Sequence, residues 1–272
     1  MQQPRLMALD LDGTLLDASC RIPVPHRDAV AEIRALGVQV ALVTGRPVLT
    51  TAPVHKALDL NTPMVCFNGT WIGRPDEEPL AEMPLEQDEV RAVVAAMRPW
   101  SGVISCYSAE HWIMDRVIPH TADWPKRYDT DGIRIDDARI HAWQGDSPKV
   151  MFVHPDHSVI PQVVAALKQR FGQRFHVVAS QEDRLEVHRP GITKAWGLAR
   201  LADLLQIPQD AVWAAGDADN DTEMLGWAGV PCAMGQAPAH LQALARHVLP
   251  GIEQAGLTAL PRLLAAAGAR GG

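Results

Sequence analysis

The sequence predicts an α/β fold: a Rossmann-like core with a central parallel sheet, interrupted by an inserted α+β segment. Three observations predict it. Short apolar runs at residues 6–9, 38–43 and 63–67 have strand length and alternate with stretches of helical spacing. Each run ends in small polar or charged residues: Asp10-Leu-Asp-Gly-Thr14, Thr44-Gly-Arg46 and Asn68-Gly-Thr70. Composition then shifts around Pro75, and the strand–helix pattern returns only after Pro190.

The elements follow in order. Residues 26–36 carry Val30, Ile33 and Leu36 at helical spacing, with Gly37 as the stop. A second helix is expected over 48–58. Together with the three apolar runs this makes a βαβαβ start, hence parallel strands. Seven acids and three prolines crowd residues 75–89, a solvated linker. Beyond it, 86–97 reads as a helix and 103–107 with 111–115 as an antiparallel pair. Residues 121–142 are polar, without clear period, and carry no assignment. Residues 149–154, 175–179 and 184–188 read as strands and 159–171 as a helix. Thr193 is expected to cap a helix running to about Leu205. Residues 211–215 form another buried strand, ending at Gly216-Asp-Ala-Asp-Asn-Asp221. A helix over 222–228, a strand over 230–234, a last helix over 257–267 and a fraying glycine-rich tail complete the chain. The expected domains are a core of residues 1–77 and 190–272 and an insert of residues 78–189.

Composition limits what such a fold can do. Hydrophobic content of 47% and charged content of 21% suit a globular chain with a large core. A net charge of −7 offers no attraction to nucleic acid. No apolar run is long enough to span a bilayer, and the first residues lack the apolar stretch of a signal peptide. Cys20, Cys66, Cys106 and Cys232 are scattered without paired spacing, so free thiols and a cytoplasmic location are expected.

The chemistry begins at Asp10 and Asp12. A buried strand ending in acids puts charge where open α/β sheets bind ligands. Alternation sends both side chains roughly the same way if the strand persists. Two carboxylates so close need a cation, or one must hold a proton. The acidic loop at 217–221 matches the first three ligand positions of a calcium loop. It then fails: Thr222 stands where glycine is needed and Ala228 where a bidentate Glu should sit. A strand ending in Gly-Asp, with a further Asp four residues on, fits magnesium better, since that ion takes one or two carboxylates and keeps waters and phosphate oxygens. The P-loop, the dinucleotide loop and the hydrolase nucleophile elbow are all missing, and the histidines show no zinc spacing.

Taken in order, these motifs resemble those of the haloacid dehalogenase superfamily, more narrowly its Cof-type phosphatases with a C2-type cap. Asp10-Leu-Asp-Gly-Thr is similar to motif I, Thr44-Gly-Arg to motif II, Lys194 in Gly-Ile-Thr-Lys to motif III, and Gly216-Asp-Ala-Asp-Asn-Asp221 to motif IV. Asn68-Gly69 fits a further turn of that subgroup, and an insert between motifs II and III marks the C2 cap. The resemblance implies a magnesium-dependent phosphomonoesterase for a small phosphorylated metabolite, with a phosphomutase or phosphotransferase as the alternative. It implies Asp10 as nucleophile, Asp12 as acid and base, Thr44 as a hydrogen-bond partner of the phosphoryl group and Lys194 as charge balance. Magnesium is expected on Asp10, the Asp12 carbonyl, Asp217 and Asp221. Gly45, Arg46, Asn68, Gly69 and Asn220 are expected on the substrate side. In the cap, Tyr107, His111, Asp115 and Arg116 are the specificity candidates, with Trp112 and Trp124 read as packing. Neither nucleic acid nor membrane is expected as a partner, and the chain is expected to be a monomer or weak homodimer.

Overall fold

The computed structural model describes residues 2–108 and 111–269; residues 270–272 of the glycine-rich tail lie outside them. Strands in chain order are β1 (Leu6–Leu9), β2 (Gln39–Leu42), β3 (Met64–Cys66), β4 (Trp71–Gly73), β5 (Ala81–Glu82), β6 (Val103–Tyr107), β7 (Trp112–Met114), β8 (Ile133–Ile135), β9 (Val150–Val153), β10 (His176–Gln181), β11 (Arg184–His188), β12 (Val212–Gly216), β13 (Val230–Ala233) and β14 (His247–Val248). Helices are α1 (Val24–Ala35), α2 (Val48–Ala57), α3 (Gln87–Met97), α4 (Trp124–Arg127), α5 (Asp137–His141), α6 (Val159–Phe171), α7 (Lys194–Leu204), α8 (Thr222–Trp227), α9 (Ala239–Leu244) and α10 (Leu260–Gly268). The chain divides into two compact units, residues 1–46, 51–81 and 193–272, and residues 47–50 and 82–192.

The first unit is built on a five-stranded sheet of order β14-β13-β12-β1-β2. Every pairing in it is parallel. All four β1 side chains are fully buried, the pattern of a central strand covered on both faces. Leu6 and Ala8 face Leu198, Leu201, Met224 and Leu225 in one apolar cluster. Each such large side chain taken from water stabilises the unit by roughly 1.5–3 kcal/mol. The chain leaves β1 toward β2 on one side and reaches β12 on the other. Loops after these strands therefore splay apart at the carboxyl edge, where open sheets form a binding crevice.

The third predicted strand differs from expectation. β3 joins β2 through a single parallel bridge, Val43 to Val65. Its ladder partner is β4, antiparallel, in a small sheet of order β3-β4-β5. The backbone reverses at Phe67 and Asn68, both left-handed with φ of 53° and 55°, so a hairpin forms where periodicity reads only a strand. The stretch expected as plain linker also holds β5. Near the carboxyl end, α9 and β14 are short elements with no sequence expectation; two residues of strand carry too little pattern to see.

The second unit is a six-stranded sheet of order β10-β11-β9-β6-β7-β8. One face packs on helices α3, α5 and α6 through Val90, Val93, Ile140, Ile160 and Val163. Helix α3 starts at a capping box, Glu86 with Glu89, as its acid-rich first turn suits. The unassigned 121–142 segment supplies α4, β8 and α5, elements of three to five residues.

Candidate active site

Three strand ends of the first unit assemble the site. Asp10 follows β1, Thr44 follows β2, and Asp217 follows β12. The amide of Asp10 donates to Ala215 O at 3.0 Å and that of Thr44 to Val65 O at 2.9 Å, so both loops leave the sheet in register. Lys194 enters from the first turn of α7, whose N-cap Thr193 accepts from the amide of Trp196 at 3.3 Å. A lysine there opposes the helix dipole and would sit in solvent by preference. Lys194 instead is 1% exposed.

The reason is a buried acid cluster. Lys194 Nζ donates to Asp10 Oδ1 at 2.6 Å and to Asp221 Oδ1 at 2.7 Å. Asp221 is fully buried, and its other oxygen accepts from the amides of Asp217 and Ala218, both at 3.1 Å. It thereby folds the acidic loop around itself. Burial, then the charge of Asp221, pushes the Asp10 carboxyl up to about 8 against the pull of Lys194. Burial also raises Asp217, aided by Asp221 and opposed by the hydroxyl of Thr14. Burial pulls the Lys194 ammonium down, yet Asp10 and Asp221 outweigh it and hold it well above the usual lysine range. Asp10, Asp217 and Asp221 each offer an oxygen, all within 4.8 Å of one another. Three acids with one ammonium leave excess negative charge in a buried place. This hard oxygen set suits a magnesium-sized divalent cation.

Asp12 goes elsewhere. The strand ends at Leu9, so alternation does not carry to residue 12, and the two carboxylates meet different side chains, Asp10 meeting Lys194 and Asp12 meeting Arg46. Asp12 lies outside the buried cluster, with its side chain 57% exposed. Arg46 grips both its oxygens, Nε at 2.7 Å and the second nitrogen bidentately. The acid crowding thus bears on Asp10, while the cation beside Asp12 is Arg46. That guanidinium is 7% exposed; burial works against its charge, and the contact with Asp12 restores it.

The remaining predicted residues gather on the same edge. The Thr44 hydroxyl accepts from the amide of Arg46 at 3.1 Å. Asn68 Oδ1 accepts from Asn220 Nδ2 at 3.3 Å and lies against Gly45, where a Cβ would meet it at 2.9 Å. Gly69, at φ 108°, rests on the Thr193 carbonyl, which leaves no room for a side chain. Asp219 is 84% exposed and faces His240 at 3.0 Å, a solvated loop position.

Two residues without a predicted role complete the frame. Thr14 Oγ1 donates to Asp217 Oδ1 at 3.0 Å. Gln236 Nε2 donates to Gly13 O at 2.6 Å and lies 3.4 Å from Asp217 Oδ2. Gly13 has φ 85° and packs on the Asp217 carboxylate, so a Cβ would strike it. The signal for Gln236 was present: β13 too ends in Gly and a polar side chain, Gly235-Gln236.

In the second unit, Asp115 is buried and occupied: Oδ1 accepts from the amide of Ile104 at 2.9 Å and Oδ2 from Arg116 at 3.1 Å. The His111 amide donates to Ser108 Oγ at 3.1 Å. Tyr107 is buried with its hydroxyl 3.6 Å from Met151 Sδ. Trp112 packs on Trp124 with ring centres 5.1 Å apart.

Comparison with known proteins gives the family and the fold. A model of haloacid dehalogenase-like hydrolases matches residues 7–259. The HMP-PP phosphatase of Cronobacter sakazakii is 31% identical, over 90% of this chain and 89% of its own. The 5-amino-6-(5-phospho-D-ribitylamino)uracil phosphatase YitU of Bacillus subtilis is 26% identical, over 94% and 95%. A haloacid dehalogenase-like hydrolase from Bacteroides thetaiotaomicron shares the fold, with a TM-score of 0.89, 23% identity and coverage of 96% and 100%. With four ordered motifs brought to one sheet edge and the family's pattern running nearly end to end, the chain belongs to the haloacid dehalogenase-like hydrolases.

Proposed function

We propose that this hydrolase is a magnesium-dependent phosphomonoesterase working through a phosphorylated Asp10, on a small metabolite selected by the inserted unit. The buried Asp10–Lys194–Asp221 arrangement carries the reading. It holds one carboxylate rigid at a strand end and balances its charge, as attack on an anionic phosphate requires. Asp10, Asp217 and Asp221 would hold the metal. When bound, that ion neutralises phosphate charge and favours the ionised, attacking form of Asp10.

The chain's own residues then divide the work. An Asp10 oxygen forms a bond to phosphorus as the bond to the ester oxygen breaks. Asp12 gives its proton to the departing alkoxide. Water then attacks the aspartyl-phosphate, Asp12 takes its proton, and the Asp10–phosphorus link breaks to release phosphate. Arg46 holds Asp12 at the mouth of the buried site and must loosen its grip for Asp12 to carry a proton. Thr44 and Lys194 flank the transferred group. The relatives' names add a substrate class: YitU acts on an amino-uracil carrying a phosphorylated side chain, so a phosphorylated heterocycle leads the panel for this chain. Four free cysteines suit a reducing cytoplasm.

The test is phosphate release from phosphorylated heterocycles, sugars and p-nitrophenyl phosphate, with magnesium and with chelator. Magnesium-dependent release is expected, strongest for one class. Phosphate moved to an added sugar phosphate in preference to water would instead make the chain a transferase.

A further inference from the structure

The chemistry above gives Gln236 no part, although its side chain ties three loops together. Nε2 donates to Gly13 O at 2.6 Å, in the loop after β1, and reaches Asp217 Oδ2 at 3.4 Å, in the loop after β12. Oε1 accepts from the amide of Ile252 at 3.0 Å, in the loop after β14. Each polar atom of one carboxamide is thus spent on a different strand end.

The backbone is built to deliver that side chain. The ladder runs on past β13: the Met234 amide donates to Gly216 O at 3.0 Å and the Leu249 amide to Ala233 O at 2.8 Å. Gly235 then packs on the Gly251 amide and Leu249 O, where a Cβ would meet both at 2.9 Å. Gln242 Nε2 donates to Gly235 O at 3.0 Å and to Ala237 O at 2.8 Å, which pins the chain on either side of residue 236.

At the other end of the contact, the Asp217 carboxylate is held from several sides. Thr14 donates to Oδ1 and Gln236 to Oδ2, while Gly13 packs on the group. An ionised carboxylate has roughly four acceptor positions. Two neutral donors therefore fix its plane and still leave it able to bind an ion. Gln236 itself is exposed, so water could replace each of its bonds and they add little to folding. A pinned, exposed carboxamide with three bonds is better explained by what it orients.

We propose that Gln236 is a positioning residue for the metal site. Its carboxamide holds the Asp217 carboxylate where it joins Asp10 and Asp221, and braces the loop after β1 against it. The proposal rests on the metal reading above and extends it to a residue outside the four motifs. Partners that orient a metal ligand typically carry about 10–100-fold in metal affinity. The bond to Ile252 adds a consequence: metal held through Asp217 steadies Gln236, so occupancy is felt in the loop after β14.

The experiment titrates the full chain with Mn²⁺ alone, without substrate, and reads free Mn²⁺ by electron paramagnetic resonance. Gln236→Ala is expected to bind at least about tenfold more weakly, with the urea midpoint of the metal-free chain unchanged. Gln236→Met, which keeps the side-chain length and loses the polar atoms, should show the same loss. Affinity within twofold of the parent in either variant overturns the proposal, as does a loss of affinity matched by a lower metal-free urea midpoint in both. Amide exchange gives a second readout. Saturating magnesium should slow Ile252 in the parent chain and leave it unchanged in Gln236→Ala, while the loops after β1 and β12 slow in both. An equal response of Ile252 in the two chains overturns the link. A parent chain that binds no Mn²⁺ overturns the metal reading and this proposal together. Metal binding without phosphate release counts against the phosphatase reading alone, and the titration still decides this one.

Discussion

At the scale of single residues, Lys194 is the most heavily committed side chain. Among the described residues it is the one cation paired with the buried carboxylates of Asp10 and Asp221. Lys194→Met leaves those two charges facing each other without it. A loss of about 3–5 kcal/mol is expected in urea unfolding, because breaking a buried pair strands its partners. Added magnesium should return part of that loss, since the ion replaces the missing charge. Equal destabilisation with and without metal would contradict the shared-charge account. Asp10→Asn is expected to keep the fold and lose at least about 10³-fold in phosphate release, because the amide cannot attack. Arg46→Ala removes the grip on Asp12; a changed pH–rate profile with little change in melting temperature is the expected mark of a residue that sets another's position. Motif spacing made Asp10, Lys194 and Asp217 legible in the sequence. It did not show that Asp12 leaves the cluster for Arg46, because that depends on where β1 stops.

At the scale of elements, the parallel strands β1, β2, β12 and β13 were legible because they are largely buried and end abruptly in polar residues, whereas the two-residue, partly exposed β14 was not. The β3–β4 hairpin was not, since its turn uses Phe67 in a left-handed conformation that no turn rule favours. Segment 121–142 was not, since each of its pieces is held by neighbours and not by its own period. The β11 strand carries a pH dependence of its own. Burial, opposed by Glu186, pushes His188 down to about 4 from 6.5. The unfolded chain therefore binds a proton below 6.5 that the folded chain refuses until about 4. Stability from this group is full above 6.5 and lost as pH falls through that window. Roughly 2 kcal/mol should vanish between pH 7.5 and 5, by one pKa unit's worth of 1.36 kcal/mol each. Urea midpoints at the two pH values check it, with His188→Gln flattening the difference. Asp183, which Arg184 and His120 hold at about 2 despite its burial, loses its share only in stronger acid.

At the scale of the whole molecule, two compact units divide the chain; the sequence alone places its insertion from an acid- and proline-rich shift near Pro75. Among the described residues the acid cluster lies in the first unit, so metal should stabilise that unit selectively. At a hundredfold excess over its dissociation constant, magnesium should add about 2.7 kcal/mol, and amide exchange should slow in the loops after β1 and β12. Uniform slowing across β6–β11 as well would show that the ion acts on both units. The central claim is that Asp10 itself carries the phosphoryl group. Borohydride reduces an aspartyl-phosphate to homoserine. The most direct measurement quenches the enzyme in acid during turnover, reduces it and maps the peptides by mass spectrometry. The account predicts homoserine at position 10 only when both substrate and magnesium are present. Phosphate released at full rate with residue 10 always recovered as aspartate would contradict it.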